Sequence, residues 1–210
     1  RVAGLVAGVA RHGKVVYLES MGWNQIEQDK PMLENSLFQI RSMSKPITAV
    51  AAMQLIEQGK MKLDDPVSKY IPSFAEMKVF VDPAAADFTQ TRVSEREMTI
   101  EDLLMNTAGL SHRFGALYRA NEVRSRGDTL EELVEKVAAV PLIGDPGEQW
   151  VYSISLTVLG RVIELVSGQE FDDYLDEHVY GPLKMTDTAF YVPDEKAGRL
   201  ARAYRVSSED

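Results

Sequence analysis

Two strand-like runs lie on either side of His12-Gly13-Lys14 at the opening of the chain. The runs are rich in β-branched and aromatic residues, and a short Gly-containing break between such runs is typical of an antiparallel hairpin. A third short strand is predicted over residues 36–40. Helical patterns follow these strands, without the regular alternation of strand and helix that a parallel sheet needs. This order predicts an α+β fold.

Several stretches have the spacing and the end signals of helices. Residues 44–59 repeat apolar side chains at helical spacing, with Pro46 in the first turn and Gly59 at the end. Capping-box sequences begin at Thr99 and Thr129, each with an acidic residue three positions later. The other predicted elements are helices over residues 156–168 and 171–180 and a short edge strand over residues 78–81.

Charge and composition restrict the partners that the chain can have. The 210 residues carry a net charge of −9, from 23 basic and 32 acidic side chains, and no basic tract is present. Nucleic acids and anionic membranes bind clustered Lys and Arg, so neither is an expected partner. The absence of Cys excludes disulfides and a thiol nucleophile. No apolar run approaches the roughly 20 residues of a membrane span, and no signal-peptide layout is present. A cytoplasmic location is expected, although a leader already removed would leave no trace.

Ser42 stands three residues before Lys45, where the first helix is predicted to begin. Side chains three apart lie on one helical face, so the amine can fold back towards the hydroxyl. Burial and the positive end of a helix dipole disfavour a charged ammonium, and a lysine so placed can act as a base. Free N–H groups at a helix start can also bind an oxyanion. The competing interpretation is that Ser42 or Ser44 caps the helix and Lys45 is solvated.

Three longer stretches share the order of one known family. They are S-M-S-K-P-I-T-A-V-A-A-M at 42–53, M-T-I-E-D-L-L-M-N-T-A-G-L at 98–110 and D-P-G-E-Q-W-V-Y-S-I-S at 145–155. Together they resemble the serine β-lactamase and penicillin-binding-protein superfamily, and among its branches the class C β-lactamase-related esterases, also called family VIII carboxylesterases. Asn106 stands where a histidine is common in that family. The resemblance extends from about residue 2 to residue 193.

The resemblance implies roles for three residues. Ser42 would be the acylated nucleophile, Lys45 the lysine of the S-x-x-K motif, and Tyr152 the residue that carries the proton between nucleophile and leaving group. Neither a cofactor nor a metal is implied. The histidines match no base of the family and are predicted to be structural or surface residues: His12, His112 and His178. Trp150 is predicted to pack in the interior in preference to lining an acyl pocket.

The resemblance also implies the architecture. The expected fold is β-lactamase/transpeptidase-like, an antiparallel sheet flanked by helices with a mostly helical sub-lobe. Residues 1–210 would be part of a single domain, with the first strands and the nucleophile helix in 1–60, the helical lobe in 61–180 and a return towards the sheet in 181–210.

Two departures from the family pattern affect the functional interpretation. Ile154 replaces the asparagine of the Y-x-N motif of β-lactamases, and a hydrophobic residue there resembles the esterase branch. The third family motif, of the K-T-G, H-x-G or W-G-G type, does not follow Tyr152. The chain is therefore interpreted as one part of a longer protein, a part without the C-terminal strands of the family fold. The remaining C-terminal segment of the same protein is an expected partner.

The function expected from the sequence is that of a serine hydrolase acting through an acyl-enzyme, specifically a carboxylesterase on small-molecule, short-chain esters. Two alternatives stay open. One is a β-lactamase or a D-alanyl carboxypeptidase of the penicillin-binding-protein type. The other is a non-catalytic binding or scaffold member with the same fold.

Overall fold

The computed structural model describes residues 2–82, 90–112, 115–123, 125 and 127–205. The chain divides into two compact units. Arg1–Ser42 and Met185–Asp210 together make the discontinuous unit, and Met43–Lys184 makes the continuous unit. The assignment of the whole chain to part of a single domain stays a prediction.

The discontinuous unit is built on the predicted hairpin, which is confirmed. Strands β1 (Gly4–Arg11) and β2 (Lys14–Gln25) pair antiparallel. His12 and Gly13 connect them with φ values of 51° and 72°, so both turn residues are left-handed. Two left-handed residues in a two-residue connection match the right-handed twist of the flanking strands, which is why glycine suits the second position.

The predicted strand over residues 36–40 is wrong. Its place beside β2 is taken by the short strand β3 (Lys30–Pro31). Leu37 instead forms a single bridge, donating its N–H to Arg199 O at 2.9 Å and accepting from Ala201 N at 2.8 Å. A strand needs a hydrogen-bonded neighbour along its length, and among the described residues the segment 199–201 pairs with residues 36–40 at Leu37 alone.

Apolar side chains are exposed on both faces of the β1–β2 hairpin. Val9 and Tyr17 are cross-strand partners on one face, whereas Leu18 points to the opposite face, and all three are exposed. Among the described residues, β1 pairs with β2 alone.

An open groove of about 1170 Å³ lies in the discontinuous unit. Side chains that line it include Trp23, Ile26, Met32, Phe38, Arg41 and Tyr204.

The continuous unit is mostly helical, and the predicted division of the chain into residues 1–60, 61–180 and 181–210 stays a prediction. Its helices are α1 (Ser44–Glu57), α2 (Ile100–Met105), α3 (Ala116–Ala120), α4 (Leu130–Ala138), α5 (Ser155–Ser167) and α6 (Phe171–Leu175). A π-helical turn, Asp176–Tyr180, follows α6, so the predicted helix over 171–180 is present with a change of hydrogen bonding. Strands β4 (Lys78–Phe80) and β5 (Thr91–Val93) form a separate antiparallel pair.

Helix α5 forms the centre of the continuous unit. It contacts α1, α2, α4 and α6, and its apolar residues Val158, Leu159, Val162 and Ile163 are fully buried. Burial of each such side chain contributes about 1.5–3 kcal/mol to the free energy of unfolding, relative to leaving it exposed to water. This packing fixes the residues that immediately precede α5, which include Tyr152.

Both predicted capping boxes are confirmed. Thr99 accepts from Asp102 N at 3.3 Å while the Asp102 carboxylate accepts from Thr99 N at 2.9 Å. Thr129 and Glu132 make the equivalent pair at 3.1 and 2.8 Å. These bonds satisfy N–H groups that would otherwise lack partners at the starts of α2 and α4.

Candidate active site

Ser42 lies in a 3₁₀ turn, Arg41–Met43, that continues directly into α1 at Ser44. The predicted arrangement, with Ser42 just before the helix and Lys45 in its first turn, matches this geometry. Arg41 has a φ of 47°, a left-handed conformation that costs a residue with a side chain on the order of 1–3 kcal/mol. Strained backbone of this kind concentrates at functional sites, and here it immediately precedes the exposed Ser42.

Lys45 and Tyr152 are brought together in the continuous unit, although they are far apart in the sequence. Lys45 Nζ lies 4.7 Å from the centroid of the Tyr152 ring. An ammonium over an aromatic face is attracted by the negative charge of the ring face. Ser42 is the last residue of the first segment of the discontinuous unit and is linked to Lys45 through the chain itself. The catalytic roles of these three residues stay predictions.

The main chain on both sides of Tyr152 is bonded to one residue, Asn106. Val151 N donates to Asn106 O at 2.9 Å, and Ser153 N donates to Asn106 Oδ1 at 3.2 Å. Asn106 ends α2 in the left-handed conformation, with φ 57° and ψ 37°. Asn adopts this conformation more readily than most residues, so it can end a helix and present its amide oxygen to another segment.

Ser153 extends this network into the start of α5. Its Oγ lies 3.3 Å from Asn106 Oδ1 and 2.6 Å from Ser155 Oγ, and it accepts from Ser155 N at 3.2 Å. Ser153 and Ser155 are both buried, so these hydrogen bonds are formed away from bulk water. Tyr152 therefore stands between a fixed turn and a fixed helix start.

Two further rings lie beside Tyr152. The His112 ring centroid is 5.8 Å from that of Tyr152, with an interplanar angle of 32°, and the Trp150 ring centroid is 6.4 Å away. His112 matches no base of the family, and its place beside Tyr152 depends on the course of the chain after α2 and not on a local pattern. Trp150 is 66% exposed, so the prediction that it packs in the interior is wrong.

Two arginine–carboxylate pairs hold the segments that lead to Asn106 and Tyr152. Arg96 donates to both oxygens of Asp102 at 2.7 and 2.8 Å, and Asp102 also accepts from Thr107 Oγ1 at 3.1 Å. Asp145 accepts from Arg92 at 3.1 Å and from Glu95 N at 2.9 Å. Fork-shaped contacts of this kind are the strong form of the ion pair.

These contacts lower the pKa of both carboxyl groups. Burial raises the pKa of Asp102, but hydrogen bonds from Arg96 and Thr99 outweigh burial and leave the pKa below its ordinary value. The hydrogen bonds from Arg92 and from Glu95 N–H lower the pKa of Asp145 to about 2.

Acid is expected to destabilise the protein through Asp145. Its pKa is lower in the folded state than the ordinary value of 3.8, so the stabilisation is complete above pH 3.8 and is lost as the pH falls towards 2. Urea unfolding of the full-length protein between pH 5 and pH 2 should show a falling midpoint. Asp145→Asn should lower the midpoint at pH 7 and reduce its dependence on pH, whereas Asp64→Asn, in an exposed turn, is the control. Equal pH dependence in Asp145→Asn and the natural protein would contradict this account.

The described residues form neither a metal site nor a membrane-spanning helix. In that part of the chain, no three or more His, Asp or Glu side chains are grouped so that they could hold a metal ion. Of the helices in the described ranges, none has both the length and the apolar character needed to cross a bilayer.

The fold and these sequence motifs together define a β-lactamase/transpeptidase-like protein. The chain belongs to the β-lactamase family, whose model matches residues 1–210. It is 36% identical over 198 residues to Esterase EstB of Burkholderia gladioli, covering 90% of this chain and 47% of EstB. It is 34% identical over 212 residues to Protein Rv1367c of Mycobacterium tuberculosis, covering 100% of this chain and 53% of that protein.

Solved structures agree with this family. The structure of EstCE1, a hydrolase with promiscuous acyltransferase activity, matches with a TM-score of 0.85 and 33% identity over 99% of this chain and 53% of EstCE1. Unliganded simvastatin synthase from Aspergillus terreus matches with a TM-score of 0.77 and 25% identity, covering 95% of this chain and 52% of that chain. The chain thus spans about half the length of the relatives that it matches.

Proposed function

We propose that the protein is a serine hydrolase that works through an acyl-enzyme, and that it is a carboxylesterase for short-chain esters. The observation that carries this proposal is the approach of Lys45 to Tyr152, in a family member whose Ser42 lies three residues before Lys45. The esterase EstB and the hydrolase EstCE1 among the similar proteins support the same class of reaction.

The proposed reaction has two halves. Ser42 Oγ attacks the ester carbonyl carbon, and its proton passes to the Lys45 and Tyr152 pair. The bond to the alcohol oxygen breaks, the alcohol leaves with that proton, and the acyl group stays on Ser42. Water then attacks the carbonyl carbon of the acyl-enzyme and passes one proton to the same Lys45 and Tyr152 pair. The bond between that carbon and Ser42 Oγ breaks, the proton returns to Ser42 Oγ, and the carboxylic acid is released. The N–H of Ser42 is proposed to stabilise the oxyanion of both tetrahedral intermediates.

The residue at position 154 favours an ester over a β-lactam. In the Y-x-N motif the third residue is an asparagine, whereas here it is Ile154, which is only 3% exposed. An apolar side chain in the interior cannot hydrogen bond to the amide of a β-lactam substrate. β-Lactamase or D-alanyl carboxypeptidase activity is the second candidate, and a non-catalytic role is the third.

Labelling of the full-length protein with a fluorophosphonate tests the proposal. A single adduct on Ser42, found by intact mass and peptide mapping, is expected, together with turnover of p-nitrophenyl acetate and butyrate. Nitrocefin turnover that exceeds ester turnover would favour the β-lactamase alternative. A folded full-length protein that forms no adduct would leave the non-catalytic role as the better account.

We propose in addition that a further segment of the same protein, corresponding to the part of the relatives that this chain does not span, pairs with the outer edge of β1 and covers the β1–β2 hairpin. Large apolar surfaces on both faces of a two-stranded sheet are rarely left in water. Val9, Tyr17 and Leu18 give the hairpin such surfaces, and the relatives are about twice as long as this chain.

Amide hydrogen exchange of the full-length protein tests this coverage. The N–H groups of β1 that point away from β2 are expected to be protected to the same degree as those of helix α5, because a covering strand would accept their hydrogen bonds. A chain ended at residue 210 provides the comparison, in which those amides should exchange faster. Fast exchange of the outward β1 amides in the full-length protein would refute the proposal.

A further inference from the structure

We infer that Asn106 is the positioning residue of Tyr152, which it holds in register with Lys45 through hydrogen bonds to the main chain on either side. The inference rests on the proposed function, since it concerns the placement of the proton-carrying tyrosine. Asn106 itself touches no reacting atom in this account. Its effect is exerted through the backbone of residues 151–153.

The bonds enclose Tyr152 from both directions. Asn106 accepts from Val151 N with its main-chain oxygen at 2.9 Å and from Ser153 N with its side-chain Oδ1 at 3.2 Å. A residue held by both neighbours has little freedom to change its own φ and ψ. Asn106 therefore restricts the direction in which the Tyr152 side chain leaves the backbone.

Asn106 is itself fixed by the helix that it ends. Its N–H donates to carbonyl oxygens of α2, and the next residue, Thr107, donates N–H to Asp102 O at 2.9 Å. Asp102 completes the capping box of α2 with the N-cap residue Thr99, and it is the ion-pair partner of Arg96. The position of Asn106 is thus tied to a carboxylate with several hydrogen bonds, and the placement of Tyr152 depends on it.

The side chain of Asn106 is needed because Ser153 is buried. A buried N–H that loses its acceptor costs about 1–3 kcal/mol, so the segment would move to find another partner. Such a movement would change the distance between the Tyr152 hydroxyl and the groups with which it exchanges protons. A displacement of about 1 Å in a positioned group is enough to cost about 100-fold in rate.

The test uses two substitutions that separate the conformation of Asn106 from its acceptor. Asn106→Gly keeps the left-handed conformation and removes Oδ1, so kcat/KM for p-nitrophenyl butyrate is expected to fall about tenfold or more, mainly in kcat. Asn106→His places an imidazole Nδ1 at the same number of bonds from Cα and should recover most of the loss at pH 8. This recovery should disappear below about pH 6.5, where an ordinary imidazole is protonated and cannot accept.

A double substitution shows whether the effect is exerted through Tyr152. In a Tyr152→Phe background, Asn106→Gly should cause no further fall in the rate of Ser42 labelling by a fluorophosphonate. An equal fall in both backgrounds, or wild-type kcat/KM in Asn106→Gly, would overturn the inference while leaving the proposed function intact. A natural full-length protein that neither labels nor hydrolyses esters would instead overturn the proposed function, and the inference with it.

Discussion

Replacing Ser42 by alanine is expected to abolish ester hydrolysis by the full-length protein, with a fall in kcat on the order of 10⁴-fold or more. The reason is that no acyl-enzyme can form without the Ser42 hydroxyl, so both halves of the reaction are lost. Substrate binding does not require that oxygen, so KM for residual turnover should change little. Turnover of p-nitrophenyl butyrate and intact mass after fluorophosphonate treatment are the measurements.

Ser44→Ala is the matched control for this experiment. Ser44 is the first residue of α1, two positions after Ser42, and its main-chain oxygen accepts from Thr48 Oγ1 at 3.2 Å, a bond that alanine retains. This variant should keep ester turnover and the adduct on Ser42. Loss of the adduct in Ser44→Ala but not in Ser42→Ala would show that the S-x-x-K motif had been read in the wrong register.

The second large effect is expected from Tyr152→Phe. Phenylalanine keeps the ring that faces Lys45 and His112, while it removes the hydroxyl that is proposed to carry the proton. Loss of a general acid–base group costs typically about 10²–10⁴-fold in kcat. KM should change much less, because the ring contacts are unaltered, and the melting temperature should stay close to that of the natural protein.

Tyr174→Phe is the control for removing a tyrosine hydroxyl. The Tyr174 hydroxyl is buried and finds no hydrogen-bond partner among the described residues, so its removal should leave kcat unchanged and stability equal or improved. A fall in kcat of similar size in both variants would indicate a general loss of structure. Full activity in Tyr152→Phe would assign the proton transfer to another group.

Local patterns were sufficient for the elements whose bonds are local. The capping boxes at Thr99 and Thr129 were predicted because both members of each pair lie within four residues of sequence. The hairpin was predicted for the same reason, since its turn residues connect the strands directly. The prediction of a strand over residues 36–40 was wrong because the pairing of this segment depends on Arg199 and Ala201. No local sequence pattern indicates that these distant residues approach it.

In the candidate site, too, local features were predictable from the sequence and contacts between distant segments were not. The spacing of Ser42 and Lys45 is visible in the sequence, because one helix start determines it. The approach of Tyr152 to Lys45 was available only as an implication of the family resemblance. The contacts of Tyr152 with Asn106 and His112 depend on how the chain runs from α2 to α5, and sequence reasoning did not find them.

The order of the two units along the chain has a consequence for biosynthesis. The discontinuous unit is closed by hydrogen bonds from β2 and the turn that follows it to residues about 175 positions later in the chain. Ile26 N donates to the Tyr204 hydroxyl at 2.7 Å, and Asn24 Nδ2 donates to Arg199 O at 3.3 Å. The ribosome makes the whole continuous unit between these partners. At typical rates of synthesis the hairpin waits on the order of ten seconds for them. The continuous unit can complete its own contacts in that time, and the apolar hairpin is the segment on which chaperones have longest to act.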